Sequence, residues 1–265
     1  MIYSRYKQAI GSSRMGHSGD LNSARAIYLE GKNPNLNWLI ESRFAWMNKF
    51  IVHDSTGIEL GAGFAPSKNF IKAERFLVSD FNDSDWLDLK HINALDTGFE
   101  PESFDFVIVS NTIHHLAFPE KFLNEASRIL KRNGVLIIQD IYTSLITRIL
   151  LKIMRHEGFD ENIDVFNRLI ACNDTNDPWS ANCSIPKLLF KSLDRFNQEF
   201  PMWEIIHYKN AECLKFINSG GVIAKTHYIR LGPKMLRMQD KLDQVLCRFL
   251  PEVFSLQIQV VLKKR

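Results

Sequence analysis

Residues 59–68 (ELGAGFAPSK) have the residue types and spacing of a nucleotide-binding turn. Gly61 and Gly63 permit a tight turn that side chains would obstruct. Asp80 follows Glu59 by 21 residues, the spacing at which a carboxylate ending the next strand accepts hydrogen bonds from both ribose hydroxyls of an adenine nucleoside. The stretch therefore predicts an adenosine-containing ligand and leaves open S-adenosylmethionine and NAD.

The charge of Glu59 helps to separate these two ligands. Glu59 directly precedes Leu60 and the glycines, at the turn where a dinucleotide-binding fold presents a pyrophosphate to a helix N-terminus. A carboxylate there repels two phosphates but attracts an ammonium or sulfonium group. We therefore expect a cationic ligand.

Two histidines and an aspartate are candidates for chemistry on a second reactant. His114 and His115 follow the apolar run FDFVIVS, and Asp140 ends the run VLIIQD. An imidazole with an ordinary pKa can take a proton from a hydroxyl near neutral pH. We predict a base or an acceptor-binding group among these three residues. The alternative is structural: a histidine ring packed beneath the ligand and an aspartate that caps a helix.

The order of apolar segments predicts the elements that position these residues. An α/β fold is expected, a doubly wound, seven-stranded, mostly parallel sheet of Rossmann-like type with a reversed last strand and helical lid insertions. A helix is predicted over residues 35–51 and another over 119–134. The predicted strands are 56–60, 75–81, 90–95, 104–110, 135–140, 202–208 and 254–264.

Composition limits the class of protein. The chain has 265 residues, 45% of them hydrophobic and 24% charged, which is typical of a globular protein with a sizeable core. Its apolar runs are shorter than the roughly 18–20 residues of a membrane span, and residues 1–20 lack a signal-peptide pattern, so we expect a cytoplasmic protein. The four cysteines form no C-x-x-C pair, and we expect them to be reduced and structural, with no metal.

Residues 104–140 (FDFVIVSNTIHHLAFPEKFLNEASRILKRNGVLIIQD) resemble the core of class I S-adenosylmethionine-dependent methyltransferases, in the small-molecule, type 11-like branch. The resemblance extends over about residues 57–140, roughly a third of the chain. It implies an enzyme that uses S-adenosylmethionine and transfers its methyl group to an acceptor. Two alternatives remain open: a catalytically silent, cofactor-binding scaffold and an NAD-dependent oxidoreductase.

The resemblance also implies which residues bind the cofactor. Asn93 stands where the family has an acid for the adenine amino group, and its side-chain oxygen can accept the same hydrogen bond. Ala65 replaces a third glycine, which matters little if that position only needs to be small. The implied cofactor-binding residues are Glu59, Gly61, Ala62 and Gly63 at the methionine end, Asp80 and Phe81 at the ribose, Asn93 and Ala94 at the adenine, and Ser110 and Asn111 beside the methionine portion.

The chain is divided into four parts by this pattern. Residues 1–52 are predicted as an N-terminal arm and capping helix, 53–141 as the cofactor-binding core, 142–186 as a lid insertion, and 187–265 as the rest of the core with a second lid insertion at about 210–250. Tyr142 and Trp179, in the first insertion, are predicted to line the acceptor pocket.

The expected acceptor is a small molecule or a glycan, and the expected site of methylation is an oxygen. The lid segments NDPWSANCSIPKLLF and SGGV resemble methyltransferases of bacterial surface-polysaccharide or lipid-linked glycan synthesis, which favours a sugar hydroxyl. Residues 222–265 carry nine Lys or Arg and three Asp or Glu. A helix there (PKMLRMQDKLDQVLCRFL) has an apolar stripe typical of core packing, with peripheral membrane contact as the alternative. Nucleic acid is not an expected partner.

Overall fold

A computed structural model describes residues 20–154, 157–177, 179–223 and 226–265. Most of the predicted N-terminal arm, residues 1–19, lies outside this range. In chain order the elements are α1 (Leu21–Glu30), α2 (Pro34–Phe44), β1 (Thr56–Leu60), β2 (Arg75–Ser79), β3 (Phe104–Ser110), α3 (Pro119–Ile129), β4 (Leu130–Ile141), α4 (Leu145–Met154), α5 (Ile185–Phe190), α6 (Leu193–Glu199), β5 (Trp203–Ala211), α7 (Leu214–Ile217), α8 (Pro233–Phe249), α9 (Pro251–Phe254) and β6 (Gln257–Lys264), with short 3-10 turns at Ala45–Lys49, Pro66–Asn69 and Ile113–His115.

The described strands form one sheet in the order β2-β1-β3-β4-β6-β5. The first four are parallel, and β6 runs antiparallel to both β4 and β5. Side chains alternate between the two faces, so that Val107 joins a core with α3 whereas Phe106 and Ile108 join a core with α1 and α2. The predicted doubly wound, mostly parallel sheet with a reversed last strand is confirmed.

The third predicted strand, residues 90–95, is not a strand in the structure. The Asn93 side chain folds back and its Oδ1 accepts a hydrogen bond from the Leu95 N–H at 3.0 Å. His91 has a positive φ of 57°. This local Asx turn competes with a strand ladder. Within the segment Asn93 forms an isolated bridge with Asp96, and just before it Leu89 forms another with Ser79. The described sheet therefore has six strands.

The helix predicted over residues 119–134 ends five residues early. Leu130 already pairs with Phe104 at the start of β4. Gly134, the last residue of the predicted helix, lies within this strand, where a Cβ would be 2.9 Å from the Lys131 carbonyl oxygen and 3.0 Å from that of Asp105. Close backbone approach, rather than helix termination, explains the glycine.

The helix α1 lies within the predicted N-terminal arm, before the predicted capping helix. The Asp20 carboxylate accepts the Ser23 N–H at 3.0 Å and caps the start of α1. Gly31 ends the helix in the left-handed region, with a φ of 64°. Because weak apolar periodicity is the dominant signal in this part of the sequence, these two caps are easily overlooked.

A buried ion pair ties α2 to the end of β5. Arg43 is 5% exposed and Glu212 2% exposed. The Arg43 Nη2 lies 2.8 Å from Glu212 Oε2, and its Nε donates to the same carboxylate at 3.0 Å. Gln139, on β4, donates to Glu212 Oε1 at 2.7 Å. This network joins three distant parts of the sequence at one edge of the sheet.

The predicted core stripe of α8 is exposed. The helix instead docks through Leu236, Asp243 and Cys247, and the Asp243 carboxylate accepts the N–H groups of the first turn of α7. The stripe faces outward, with exposed fractions from 46% to 71% for Met235, Met238, Leu242, Val245 and Phe249. Interpretation of this stripe as core is therefore wrong.

Among the residues that the structure describes, no helix combines the length and the apolar character needed to cross a bilayer.

The backbone at Ala65 generates a stability prediction. Ala65 has a φ of 55°, in the left-handed region where a Cβ costs about 1 kcal/mol or more. Smallness alone, assumed above, is therefore not the full requirement. We expect Ala65→Gly to raise the free energy of unfolding by about 0.5–1 kcal/mol, after the greater entropy of unfolded glycine is subtracted.

Denaturant unfolding of both proteins measures this difference. Ala62→Gly is the matched control, because Ala62 lies in the same turn without a positive φ and its replacement should destabilise by a similar amount. Equal destabilisation by both variants would show that the Ala65 backbone is unstrained.

Candidate functional site

A cavity of about 770 Å³ lies at the carboxyl ends of β1, β2 and β3, where ligands bind in open α/β sheets. Its volume falls within the range of roughly 300–1,000 Å³ for small-molecule sites. Thirteen of the fifteen residues predicted for the site line its wall: Glu59, Gly61, Ala62, Gly63, Asp80, Phe81, Asn93, Ala94, Ser110, Asn111, His114, His115 and Trp179.

The glycine turn is fixed from three sides. Gly61 has a φ of 74°, and a Cβ there would lie 2.5 Å from the Thr112 side chain. The Gly63 N–H donates to Asp80 Oδ2 at 2.8 Å, and the Gly63 carbonyl accepts from the Trp86 indole at 2.8 Å. Both predicted glycines therefore have a backbone conformation that favours glycine, and at Gly61 a side chain would also collide with Thr112.

Glu59 places a buried acid in the cavity wall. The residue is 1% exposed and accepts a hydrogen bond from the Ser67 hydroxyl. Burial raises the pKa of Glu59 to about 8, with Ser67 opposing the rise and the charge of Asp80 adding to it. A bound cation would favour the carboxylate form, whereas a phosphate would disfavour it. The wall therefore fits a ligand with an ammonium or sulfonium group better than a pyrophosphate.

Asp80 is held where a ribose is expected. Its carboxylate accepts from the Gly63 N–H, the Asn82 N–H at 3.0 Å and the Asn82 side-chain amide at 2.9 Å. A carboxylate has about four acceptor positions, so one remains and displacement of the Asn82 side chain would free a second. Phe81, 55% exposed, lies beside it in the cavity wall.

Hydrogen bonds also hold Asn93, on the expected adenine side of the cavity, and Asn111, on the expected methionine side. Asn93 Oδ1 already accepts one hydrogen bond, from Leu95, and retains a second lone pair. Asn111 has a φ of 54° and donates its N–H to the Gln139 carbonyl at 2.8 Å. Its side-chain oxygen accepts from Gln257 Nε2 at 2.8 Å. Gln257, at the start of the reversed strand β6, lines the cavity but was not predicted to do so.

Asp140 is fully buried and does not reach the cavity. Its Oδ2 accepts the N–H groups of Thr112 at 3.0 Å and Ile113 at 2.7 Å. Its Oδ1 lies 2.5 Å from His114 Nδ1 and accepts the Ile141 N–H at 2.7 Å. The expectation of a base or acceptor-binding role for Asp140 is therefore corrected: it positions the loop after β3.

The two histidines differ in environment. His114 is 1% exposed, and although burial lowers the pKa of its imidazole, the charges of Asp140 and Glu157 outweigh this and raise it to about 10. His115 has a side chain 21% exposed, and burial and the charge of His114 lower its pKa. Its Nδ1 lies 3.2 Å from the Ser180 carbonyl, which can only accept, so Nε2 carries the lone pair.

Tyr142 lies outside the cavity wall, contrary to the prediction. Its side chain is 5% exposed and packs in the core, with Lys187 5.0 Å from the ring centroid. Its hydroxyl donates to Glu252. These partners, far apart in sequence, draw the ring away from the cavity. Trp179, by contrast, lines the cavity and meets the His115 ring edge-on at 6.3 Å between centroids.

Sequence reasoning missed much of the cavity wall. One face of α4, formed by Thr147, Leu150, Leu151 and Met154, lines the cavity, as do Arg43 and Phe44 of α2 and Val222 and Ile223 of the second insertion. Glu157 also lines it. The sequence of α4 is apolar on two faces, and this pattern could have indicated that the helix contacts a ligand cavity on one of them. Residues of both insertions and of the N-terminal helices thus contribute to the cavity wall.

Comparison with known proteins gives three findings. Residues 46–138 match a family model described as a methyltransferase domain. A solved S-adenosylmethionine-dependent methyltransferase from Archaeoglobus fulgidus is 15% identical and superposes with a TM-score of 0.55, covering 90% of this chain and 99% of that chain. One from Thermotoga maritima is 18% identical, with a TM-score of 0.45 over 86% of this chain and 94% of that chain. None of the curated proteins matches the chain.

The family match covers the glycine turn, the end of β2, the loop after β3 and most of β4. The Archaeoglobus structure extends the shared fold to nearly the whole chain. A methyltransferase domain over these residues supports S-adenosylmethionine rather than NAD as the cofactor, in agreement with the cationic ligand expected from the charge of Glu59.

The raised pKa of Glu59 predicts a pH-dependent affinity for S-adenosylhomocysteine, used as a stable probe. Glu59 is protonated in the free protein below about pH 8 and must ionise to pair with the ligand ammonium, so binding releases a proton. The Kd should fall by up to tenfold per pH unit between pH 6 and 8 and then level off.

Calorimetry in two buffers of different ionisation enthalpy counts the released proton, which should approach one per ligand at pH 7. Glu59→Gln should remove this proton release and weaken binding at pH 8. A wild-type Kd that stays constant from pH 6 to 8 would show that Glu59 does not face the ligand ammonium.

Proposed function

We propose that this chain, which carries at residues 46–138 the methyltransferase domain of a class I, type 11-like S-adenosylmethionine-dependent enzyme, methylates an oxygen of a small-molecule or glycan acceptor, with a sugar hydroxyl as the best candidate. The observation that carries the proposal is the single cavity in which the cofactor wall around Glu59 and Asp80 continues into a polar and aromatic wall around His115 and Trp179.

The chain's own residues fit the cofactor. S-adenosylmethionine, when bound, supplies an electrophilic methyl group on a sulfonium. Glu59 offers a buried carboxyl group that ionises to pair with its ammonium, Asp80 has acceptor capacity for ribose hydroxyls, and Asn93 has capacity for the adenine amino group. The positive φ of Gly61 brings bare backbone to this wall.

The second wall suits an acceptor hydroxyl. His115 has its Nδ1 on the Ser180 carbonyl, so its Nε2 can accept a hydrogen bond from a hydroxyl in the cavity. Trp179 offers an aromatic surface beside it. Three polar neighbours complete a lining that suits the alternating hydroxyls and apolar faces of a sugar: Asp174, Asn176 and Asp177. Methyl transfer from a sulfonium depends largely on such positioning.

The outward faces of α4 and α8 support a lipid-linked acceptor. Both helices pack on the small core of Cys213, Cys247 and Leu256, through Ile146 and Leu150 of α4 and Cys247 of α8. On their other sides they expose apolar side chains, which we call the outer apolar face: Leu145, Ile149 and Ile153 of α4, and Met235, Met238, Leu242, Val245 and Phe249 of α8.

Cations border this face. At 100° per residue, the exposed apolar stripe of α8 spans about 80°. The stripe of cations next to it consists of Lys234, Arg237, Lys241 and Arg248, all exposed. An apolar stripe beside a cationic one is the pattern of a helix that lies in the interface of an anionic membrane. We therefore propose peripheral membrane contact through the outer apolar face.

The position of α4 links this contact to the reaction, because its opposite face lines the cavity. A protein resting on a bilayer through α4 would open its acceptor wall close to lipid headgroups, where a lipid-linked glycan presents its sugar. We place the protein on the cytoplasmic side, an assignment supported by four buried free thiols. Polysaccharide biosynthesis is the corresponding proposed process, and nucleic acid is not proposed as a partner.

Incubation with methyl-labelled S-adenosylmethionine and fractionated lipid and sugar extracts tests the acceptor. Label in a base-stable methyl ether of a sugar would support the proposal. Label on nitrogen or carbon would overturn the oxygen assignment, and cofactor binding with no transfer in any fraction, even in a single turnover, would favour the silent scaffold.

Loss of the His115 imidazole should slow transfer to the identified acceptor. We expect His115→Ala to lower kcat/KM by about 10- to 100-fold, the effect of one lost hydrogen bond of roughly 1.5–3 kcal/mol, with the Kd for S-adenosylhomocysteine unchanged. His91→Ala is the control, since His91 is exposed and outside the cavity wall. Equal kinetics for the two variants would remove His115 from the acceptor wall.

Vesicle co-sedimentation tests the membrane contact. We expect binding to vesicles containing anionic phosphatidylserine and much weaker binding to phosphatidylcholine alone. Ile149→Glu or Val245→Glu should each reduce the partition constant about tenfold or more, because an apolar side chain no longer enters the bilayer. Val52→Glu, with a 74% exposed side chain before β1 at the opposite edge of the sheet, should have no effect.

Absence of binding to anionic vesicles would contradict the membrane proposal. A concentration-dependent dimer that Val245→Glu disrupts would instead assign the outer apolar face to a second copy of the chain.

A further inference from the structure

Three potential metal-ligating atoms converge at the acceptor end of the cavity. They are the Nε2 of His114, a carboxylate oxygen of Glu157 and the Sγ of Cys183, and all lie within 4.8 Å of one another. His114 Nε2 is 3.6 Å from Glu157 Oε1, and Cys183 Sγ is 3.4 Å from Glu157 Oε2. The three residues come from the loop after β3 and from two sites in the first insertion.

These separations are close to those of a tetrahedral site. Zn²⁺ binds nitrogen and oxygen at about 2.0–2.2 Å and thiolate sulfur at about 2.3 Å. Ligand atoms at tetrahedral angles are then about 3.3–3.7 Å apart. The two distances given above lie in this range, but they end on different oxygens of the Glu157 carboxylate. With one ligand atom per residue, the three atoms lie within 4.8 Å of one another, so side-chain rotations of about 1–1.5 Å bring them to tetrahedral separations.

The environment of His114 is that of a metal-ligating histidine. Its ring is 1% exposed, and its Nε2 is buried without a hydrogen-bond partner among the described residues. Its Nδ1 is 2.5 Å from the Asp140 carboxylate. A carboxylate on one ring nitrogen orients the ring and increases the basicity of the other nitrogen toward a metal. The structure thus contains a carboxylate–histidine pair aimed at Glu157 and Cys183.

The summed charge of the three side chains also suits a divalent cation. Neutral His114, ionised Glu157 and a Cys183 thiolate carry a charge of −2 together, which a divalent cation balances. Metal binding requires deprotonated ligand atoms, so a metal competes with protons for the same atoms. Mixed nitrogen, oxygen and sulfur donors favour Zn²⁺ over Mg²⁺ or Ca²⁺.

We propose that His114, Glu157 and Cys183 form a Zn²⁺ site at the acceptor end of the cavity, with Asp140 as the residue that orients His114. His114 and Glu157 line the cavity while Cys183 lies behind it, so the fourth coordination position faces the acceptor wall. Three protein ligands and one open position are the arrangement of catalytic zinc sites. The metal site stands on its own, whereas its use to polarise an acceptor hydroxyl rests on the proposed function.

Metal analysis and cobalt substitution of the full-length protein test this site. Protein purified without chelators, or stripped and then reloaded with Zn²⁺, should hold one Zn²⁺ per chain. Co²⁺ in its place should give a thiolate-to-cobalt charge-transfer band and the intense visible absorption of a four-coordinate ion. Asp140→Asn should weaken Zn²⁺ binding by about 10- to 100-fold in competition with a chromogenic chelator.

Cys183→Ser should abolish the charge-transfer band, and Cys172→Ser, which replaces another buried free cysteine outside the cluster, should retain it. If Cys183→Ser does not fold, the wild-type cobalt spectrum still decides the question. Less than stoichiometric Zn²⁺ in the wild type, a cobalt spectrum without a charge-transfer band, or equal loss in both cysteine variants would overturn the site. S-adenosylhomocysteine binding, measured on the same samples, separates this failure from failure of the proposed function.

Discussion

The buried carboxylate of Asp140 is the constraint on which the acceptor end of the cavity depends. A polar group without exposure to water is tolerated only when hydrogen bonds satisfy it. Asp140 meets this requirement by accepting the N–H groups of Thr112 and Ile113 and by engaging His114, so the end of β4 fixes the loop after β3. The orientation of the His114 ring follows from that contact, whereas the His115 ring is held by the Ser180 carbonyl.

A second set of buried polar contacts attaches α2 and the second insertion, which cover the cavity, to the sheet and to each other. Arg43 and Glu212 join α2 to the end of β5, and Gln139 adds β4 to the same carboxylate. Asn35 reaches the second insertion, where its side chain donates to the Asn218 and Ile229 carbonyl groups. Each contact joins segments more than 70 residues apart, so local sequence patterns do not reveal which segments cover the cavity.

Features that depend on local spacing could be predicted from the sequence, whereas features that depend on contacts between distant residues could not. The cofactor wall was predictable because Glu59, the glycines and Asp80 occur at fixed local distances along successive strand–turn units. Tyr142 was misplaced because its position depends on Glu252, 110 residues away. Exposure of the α8 stripe was also beyond sequence reasoning, since a helical pattern identifies an apolar face without saying what covers it. The missing strand at residues 90–95 was lost to a local competitor, the Asn93 side chain.

The reversed direction of β6 has a consequence for the order of assembly. Within the described residues β5 pairs only with β6, and β6 also supplies Gln257 to the cavity wall. During synthesis β5 is made before β6, the strand with which it pairs. The Asn111 side chain likewise lacks its hydrogen-bond partner Gln257 until β6 has been made. The nascent chain can thus form four parallel strands early, but it holds a complete ligand cavity only after the last strand has inserted between two others.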